Sequence, residues 1–304
     1  MATKPIALIS PAKINLFLIV TGKRPDGYHE LVTLMCPITL TDTVTVKLMR
    51  REITVTCADP NVPEDETNLA HQAARLFLTR WTKEKKGRLF GAHITIEKRI
   101  PVAAGLGGGS SNAATVLLAL NRIQGKPYTQ QELGTMSLNL GADVPFFIFK
   151  RPAIATGIGE ALQSVTGVLN DYTIILVHPP IRISTASVYQ NLNLRLTKCQ
   201  QQLKFSNLRV KDAIARIQPG EIAKYLCNDL ETVTAIRYPA VEEIKQTLMS
   251  LGANGALMSG SGPTVFGLFK DKMVARSVFR NLVKKVSWNV FQVECWSHKN
   301  KRVT

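Results

Sequence analysis

Apolar and polar positions follow two different periods along this chain, and the two seldom overlap. Thr43-Val44-Thr45-Val46-Lys47-Leu48, Ile53-Thr54-Val55-Thr56 and His93-Ile94-Thr95-Ile96-Glu97 alternate at every second residue, as strands with one buried face do. The first two predict an antiparallel pair. Apolar runs predict further strands at 6–9, which Pro11 should end, at 12–20, where Lys13 and Asn15 interrupt an otherwise apolar string, and at 173–177. The helical period appears in Leu69, Ala73, Leu76 and Phe77, in Leu133, Met136 and Leu140, and in Val241, Ile244, Leu248 and Leu251. Thr129 with Glu132 forms a capping box ahead of the second of these, and Gly141 and Gly252 supply stops. Additional helices are expected at 210–217, 222–228 and 273–283, with strands at 265–269 and 290–293.

Strands and helices alternate without a doubly wound pattern, which predicts an α+β class with two mixed layers per domain. The 304 residues suffice for two cores. The texture changes after Pro152, so an N-terminal domain over 1–155 and a C-terminal domain over 156–304 are expected to share a cleft.

Between the strand at 93–97 and a strongly apolar helical run lies Ile100-Pro101-Val102-Ala103-Ala104-Gly105-Leu106-Gly107-Gly108-Gly109-Ser110-Ser111-Asn112. Four glycines strip the loop of side chains, so an anion can approach its N–H groups. Ser110, Ser111 and Asn112 are residue types that cap a helix start. Unpaired amides and the positive end of a helix would then coincide, a combination suited to phosphate. The string lacks the Gly-Lys-Ser/Thr ending of a Walker A loop, and Ser110 stands where a dinucleotide fingerprint needs glycine. No H-R-D or D-F-G string marks a protein kinase.

Composition changes this picture little. Hydrophobic residues make up 45% of the chain, no apolar run nears the roughly 18 residues of a membrane span, and the start has no signal-peptide core. Five scattered cysteines without a C-x-x-C pair favour a reducing, cytoplasmic compartment and no structural zinc. The net charge of +16 fits anionic small ligands or a solvated basic face. It also motivates a rival reading as a nucleic-acid binder, but no aromatic residues are interleaved with the basic ones as a single-strand binder needs.

Two polar residues stand out against apolar surroundings. Lys13 interrupts the run at 12–20 and reads either as an edge-strand lysine or as a fixed cation aimed into the cleft. Asp143, in Gly141-Ala142-Asp143-Val144-Pro145-Phe146-Phe147, reads either as a helix cap or as an acid beside a buried run. The turn Arg24-Pro25-Asp26-Gly27-Tyr28-His29-Glu30 carries an aromatic and a histidine at its exit, a suitable place for recognition.

Three motifs stand in order: Pro11-Ala12-Lys13-Ile14-Asn15-Leu16, then 101–112, then Ser259-Gly260-Ser261-Gly262-Pro263. This set resembles the GHMP small-molecule kinases, over the chain from Ser10 to about Phe269. The strings at 24–30 and 141–147 narrow the resemblance to the branch that phosphorylates the 2-hydroxyl of a cytidine diphosphate ester of methylerythritol, for isoprenoid precursors. The resemblance implies an N-terminal ATP-binding domain, a C-terminal substrate-binding domain and an active site between them. It implies ATP, with which Mg²⁺ is expected; few carboxylates occur in these motifs, so the metal would be held mainly by phosphates, waters and a loop hydroxyl such as Ser111, with no protein metal site expected. Lys13 and Asp143 would be catalytic, flanking the acceptor hydroxyl. Pro101, Ala104, Gly105, Leu106, Gly107, Gly108, Gly109, Ser110 and Ser111 would wrap the ATP phosphates, with Asn68 near the adenine. Tyr28 and His29 would hold the cytosine, Tyr189 would stack on it from the second domain beside Thr185, and Asn15 would line the methylerythritol pocket. Expected partners are small molecules, without nucleic acid or membrane, in a monomer or homodimer. Homoserine or mevalonate kinases of the same family are the nearest rivals, and the aromatic residues argue for a nucleobase instead.

Overall fold

The computed structural model describes residues 4–85, 90–194, 199, 220–284 and 287–296. Two long strands form its spine, β1 (Ile6–Lys23) and β2 (His29–Met49), paired antiparallel along most of their length. On the far edge of β2 lie β4 (Gly91–Glu97), then β3 (Ile53–Cys57), and at its other end β5 (Ala153–Thr156) followed by β6 (Ala161–Ser164). A second sheet takes the order β11-β7-β10-β9, from β7 (Thr173–His178), β9 (Gly255–Met258), β10 (Val265–Phe269) and β11 (Asn289–Val293).

Four layers result, and the sequence periods explain each. The helices α1 (Leu69–Lys85), α2 (Gly108–Ile123), α3 (Gln130–Ser137) and α4 (Val144–Phe149) cover one face of the first sheet, packing Phe77, Leu117, Leu133 and Phe147 with Val44, Val46, Ile94 and Ile96. The opposite face, with Ile14, Leu16 and Leu34, packs directly on Ile174, Leu176, Phe266 and Leu268 of the second sheet. Beyond that sheet lie α5 (Thr185–Gln190), α6 (Glu231–Arg237), α7 (Ala240–Ser250) and α8 (Lys272–Leu282); Val241, Ile244 and Leu248 join Val278 and Leu282 against Val177 and Val265. This is the expected α+β arrangement, one helical and one sheet layer on each side.

The chain stitches the two halves together. The short strand β8 (Cys227–Asn228) runs parallel to β1 at Phe17 and Leu18. After β11 the backbone crosses back to β2, where the Thr39 N–H donates to the Glu294 carbonyl at 3.0 Å and the Trp296 N–H to the Pro37 carbonyl at 2.8 Å. No helix among the described residues is long and apolar enough to cross a membrane.

Several local expectations are corrected. Pro11 does not end the first strand; it sits at an irregularity of the β1/β2 pairing, where a missing N–H is tolerated. The segments at 43–48 and 53–56 are not neighbours. β4 is inserted between them, antiparallel to β2 and parallel to β3, because its Ile94 and Ile96 bury fully under the helices whereas β3 buries only Val55 and suits an edge. The expected helix at 222–228 is a 3-10 turn, Ile222–Tyr225, followed by β8. The helix expected at 210–217 lies outside the described residues. The cysteine spacing gave no sign of a cross-link, yet Cys199 and Cys227 form a disulfide, with Cys36, Cys57 and Cys295 free.

Candidate active site

A cleft of about 920 Å³ opens where the glycine-rich loop, the middle of β1, the turn after β1 and α5 converge. Its floor is the loop. α2 begins at Gly108 from an N-cap, Gly107, in the left-handed region at φ 70°, and no side chain caps it. Ser110, Ser111 and Asn112 therefore are not caps; they lie inside the helix, which starts earlier, at Gly108. The first helical bond runs from the Ser111 N–H to the Gly107 carbonyl at 2.9 Å, which leaves the amides of Gly108, Gly109 and Ser110 without helical acceptors. Glycine is required here by space as well as conformation. A Cβ on Gly105 would lie 2.1 Å from the Ser259 carbonyl oxygen, and one on Gly107 would lie 2.7 Å from the Phe147 ring.

The loop is held at its centre from two sides. Its Leu106 carbonyl accepts from the Lys13 N–H at 3.0 Å, and its Gly105 carbonyl accepts from the Ser259 hydroxyl at 3.0 Å. Motif one and motif three thus clasp motif two between them. A hydroxyl contact of 2.8 Å between Ser261 and Thr185 carries the clasp on to α5, whose start is capped by Ser184.

Beside the loop, Lys13 and Asp143 face each other, the Lys13 Nζ 3.9 Å from Asp143 Oδ2. Lys13 is 4% exposed and donates to Asn15 Oδ1 at 2.6 Å; Asn15 Nδ2 donates to the Thr33 hydroxyl, which in turn donates to the Phe17 carbonyl. This relay fixes the ammonium, so Lys13 is no edge-strand lysine. Burial pushes its pKa down from the ordinary lysine value, and the Asp143 charge pulls it part of the way back. Asp143 occupies the N-cap position of α4 but makes no side-chain cap bond, and Pro145 in the first turn removes one donor it could have served. Its carboxylate is left open to the cleft.

At the far end of the cleft the His29 and Tyr189 rings pack at 5.2 Å between centroids, with Tyr28 beside them 58% exposed. Burial, then the nearby Lys23 charge, lowers the His29 pKa, which keeps the ring neutral at neutral pH. Burial and the Asp143 charge push the Tyr189 hydroxyl up. Asn68 also lines the cleft. Its side chain caps α1, accepting from the Ala70 N–H at 2.8 Å while donating to the Pro63 carbonyl at 2.6 Å.

Of the residues picked out in the sequence, Lys13, Asn15, Tyr28, His29, Asn68, Pro101, Ala104, Gly105, Gly107, Gly108, Gly109, Ser110, Asp143, Thr185 and Tyr189 all line this one cleft. Leu106 and Ser111 do not. Leu106 packs into the core between the sheets, and the buried Ser111 hydroxyl accepts from Ser10 at 2.8 Å, so Ser110 is the serine that the loop presents. Sequence reasoning missed Lys98, which also lines the cleft, and Thr33, whose role depends on the pairing of β1 with β2. A lysine directly before the glycine loop was the available signal for the first; the second left none. Among the described residues two carboxylates, Asp26 and Asp143, line the cleft, and no group of three His, Cys, Asp or Glu could hold a metal.

Comparison with known proteins agrees with this geometry. Residues 68–151 match the GHMP kinases N terminal domain and residues 210–287 match GHMP kinases C terminal. The 4-diphosphocytidyl-2-C-methyl-D-erythritol kinase of Syntrophotalea carbinolica is 47% identical over 95% of this chain and 98% of its own length. A crystal structure of 4-(cytidine 5'-diphospho)-2C-methyl-D-erythritol kinase is 33% identical and superposes with a TM-score of 0.72, covering 96% of this chain and all of the other. Homoserine kinase from Cytophaga hutchinsonii shares the fold at a TM-score of 0.72 with 17% identity, covering 95% of this chain and 94% of the other. With both terminal domains matched and near-full-length relatives above 40% identity, this chain belongs to the GHMP kinases, in the family of 4-diphosphocytidyl-2-C-methyl-D-erythritol kinases.

Proposed function

We propose that this chain transfers the γ-phosphoryl group of ATP to the 2-hydroxyl of 4-diphosphocytidyl-2-C-methyl-D-erythritol, releasing ADP, in the methylerythritol phosphate route to isoprenoid precursors. The observation that carries the reading is the placement of Lys13 and Asp143 against each other at the mouth of an uncapped, glycine-rich helix start. Triphosphate oxygens fit the amides of 107–110, and the acceptor alcohol fits between loop and carboxylate. Asp143 accepts the hydroxyl proton as the new O–P bond forms, and the old bond from the γ-phosphorus to its bridging oxygen breaks. The transition state of phosphoryl transfer is loose, so a base is needed only late and charge neutralisation does most of the work. Lys13 orients the carboxylate and offsets charge on the group in flight, and the loop amides supply the remaining stabilisation.

Mg²⁺ carried on ATP would supply neutralisation of phosphate charge; Ser110 is the loop hydroxyl that lines the cleft and would meet it, in the place first given to Ser111. The cytidine fits the end lined by Tyr28, His29 and Tyr189, where an aromatic surface and a neutral imidazole suit a nucleobase. Asn15 supports the reaction chiefly by holding Lys13, since both ends of its amide are bonded within the protein. We assign the nucleotide to the first half of the chain, residues 1–155, and base recognition from α5 to the second, and we place the enzyme in the cytoplasm as a monomer or homodimer.

A coupled ADP-release assay tests this directly, comparing the cytidine diphosphate ester, its uridine analogue, homoserine and mevalonate. The ester should turn over at least tenfold faster than any of the others. Equal or better turnover of homoserine or mevalonate would overturn the assignment.

A further inference from the structure

The glycine-rich loop carries no polar side chain from Pro101 to Gly109 with which to fix its backbone, so hydrogen bonds that set its shape come from outside it. The bonds to Lys13 and Ser259 hold its middle. A single carboxylate holds both of its ends. Asp42, on β2 and fully buried, accepts at Oδ1 from the Arg99 N–H at 2.7 Å and the Ile100 N–H at 2.9 Å, the two residues that lead into the loop. At Oδ2 it accepts from the Lys98 Nζ at 2.5 Å and from the Asn112 Nδ2 at 3.0 Å, the latter on α2 just past the end of the loop. Asn112 also donates to the Ser10 hydroxyl at 3.0 Å, and Ser10 to Ser111, so the exit is bound to β1 as well.

We propose that Asp42 is a positioning residue for nucleotide binding, clamping entry and exit of the phosphate loop so that its amides converge before ATP arrives. The proposal rests on the reading of this loop as the ATP site. Asp42 touches no substrate; it does not line the cleft. Its four acceptor bonds fix where the backbone enters and leaves the loop, and thereby the direction of the free amides at Gly108 to Ser110. It also holds the Lys98 ammonium beside the helix start, where a Cβ added to Gly108 would lie 3.0 Å from Nζ. An anion site organised in advance loses less entropy on binding than one the ligand must assemble. The consequence is a larger effect on the nucleotide than on the cytidine ester, whose base end is lined by Tyr28, His29 and Tyr189 from other elements.

The test substitutes Asp42→Asn in the full chain. The amide keeps an acceptor for the Arg99 and Ile100 amides but turns an N–H pair towards Lys98 and Asn112, which breaks the exit half of the clamp. The KM for ATP and the calorimetric Kd for ATP should rise at least tenfold, with the KM for the cytidine ester within twofold of the unmodified chain. Asn112→Ala removes the exit tie while leaving the buried charge pair intact, and it should raise the same two ATP constants about threefold or more. It also serves if Asp42→Asn does not fold. ATP constants unchanged in Asn112→Ala, or KM values for both substrates raised alike in either variant, would overturn the proposal. Failure of the unmodified chain to bind ATP at all would instead overturn the kinase reading.

Discussion

The ammonium of Lys13 and the carboxylate of Asp143 stand 3.9 Å apart, one buried in the longest strand pair of the fold and the other open to the cleft. The asymmetry has a chemical meaning. A buried, hydrogen-bonded lysine is a fixed point, while an exposed carboxylate that caps nothing can reach a hydroxyl that enters from solvent.

Removing the acceptor of the proton should therefore slow chemistry without weakening nucleotide binding. Asp143→Asn should lower kcat by roughly 10²-fold or more. Its Kd for ATP, measured by calorimetry, should stay within about threefold, since Asp143 does not belong to the loop. Near-normal turnover would take Asp143 out of the reaction.

Lys13 sets an alkaline limit. Burial lowers its pKa, so the ammonium is lost at a pH below the ordinary lysine value of about 10.4, and kcat should fall there. The Asp143 charge works the other way, so in Asp143→Asn the alkaline limb of the residual rate should move to still lower pH. A pH profile of single-turnover rates reads both limbs; a limb at or above the ordinary lysine value would contradict the buried placement.

Base recognition should separate from chemistry. Stacking of a base on an aromatic ring is worth about 1–3 kcal/mol, so Tyr28→Ala and Tyr189→Ala should each raise the KM for the cytidine ester roughly 5- to 150-fold. Turnover at saturation should change much less. Burial and Lys23 lower the His29 pKa, so any rise of the same KM with acid should set in below the ordinary histidine value. An unchanged KM in both variants would remove the aromatic end from substrate binding.

His178, buried on β7 with Nδ1 3.1 Å from the Thr264 hydroxyl, tests the second sheet by stability. Burial lowers its pKa from 6.5 to about 4. Between those values the unfolded chain binds the proton and the folded chain does not. Stability is thus full above about 6.5, and this residue's share is lost at up to about 1.4 kcal/mol per pH unit as pH falls towards 4. Urea unfolding of the unmodified chain and His178→Gln, compared at pH 7 and pH 5, should show the gap between them shifting in favour of the variant at the lower pH. A gap independent of pH would place the imidazole in contact with water.

How far the molecule was legible from its sequence depended on range. Periodicity located β4, α1, α3, α7 and both faces of the core, because each is written in adjacent residues such as Ile94 and Ile96 or Val241, Ile244 and Leu248. The site was legible through its motifs, since Lys13, Asp143 and the glycines are unusual residues in their local settings. What escaped was pairing at a distance. Nothing near 53–56 says that β4 will come between that strand and β2, and nothing near Asp42 says that its carboxylate will meet Lys98, Arg99, Ile100 and Asn112. The partner of Ser111, Ser10 on β1, was hidden for the same reason, and so a hydroxyl with ligand chemistry proved to be bonded inside the protein. The Cys199 and Cys227 pairing belongs with these, as spacing carries no information about which thiols meet.

A double-mutant cycle on Lys13 and Asp143, read as single-turnover phosphoryl transfer to the cytidine ester at saturating ATP, tests the central claim most directly. If the two side chains act as one unit at the acceptor hydroxyl, Lys13→Met and Asp143→Asn should each cost about 10²-fold or more, and the double variant should be no more than about tenfold slower than the worse single one. Losses that simply multiply, or a single variant that transfers phosphate at nearly the unmodified rate, would contradict it.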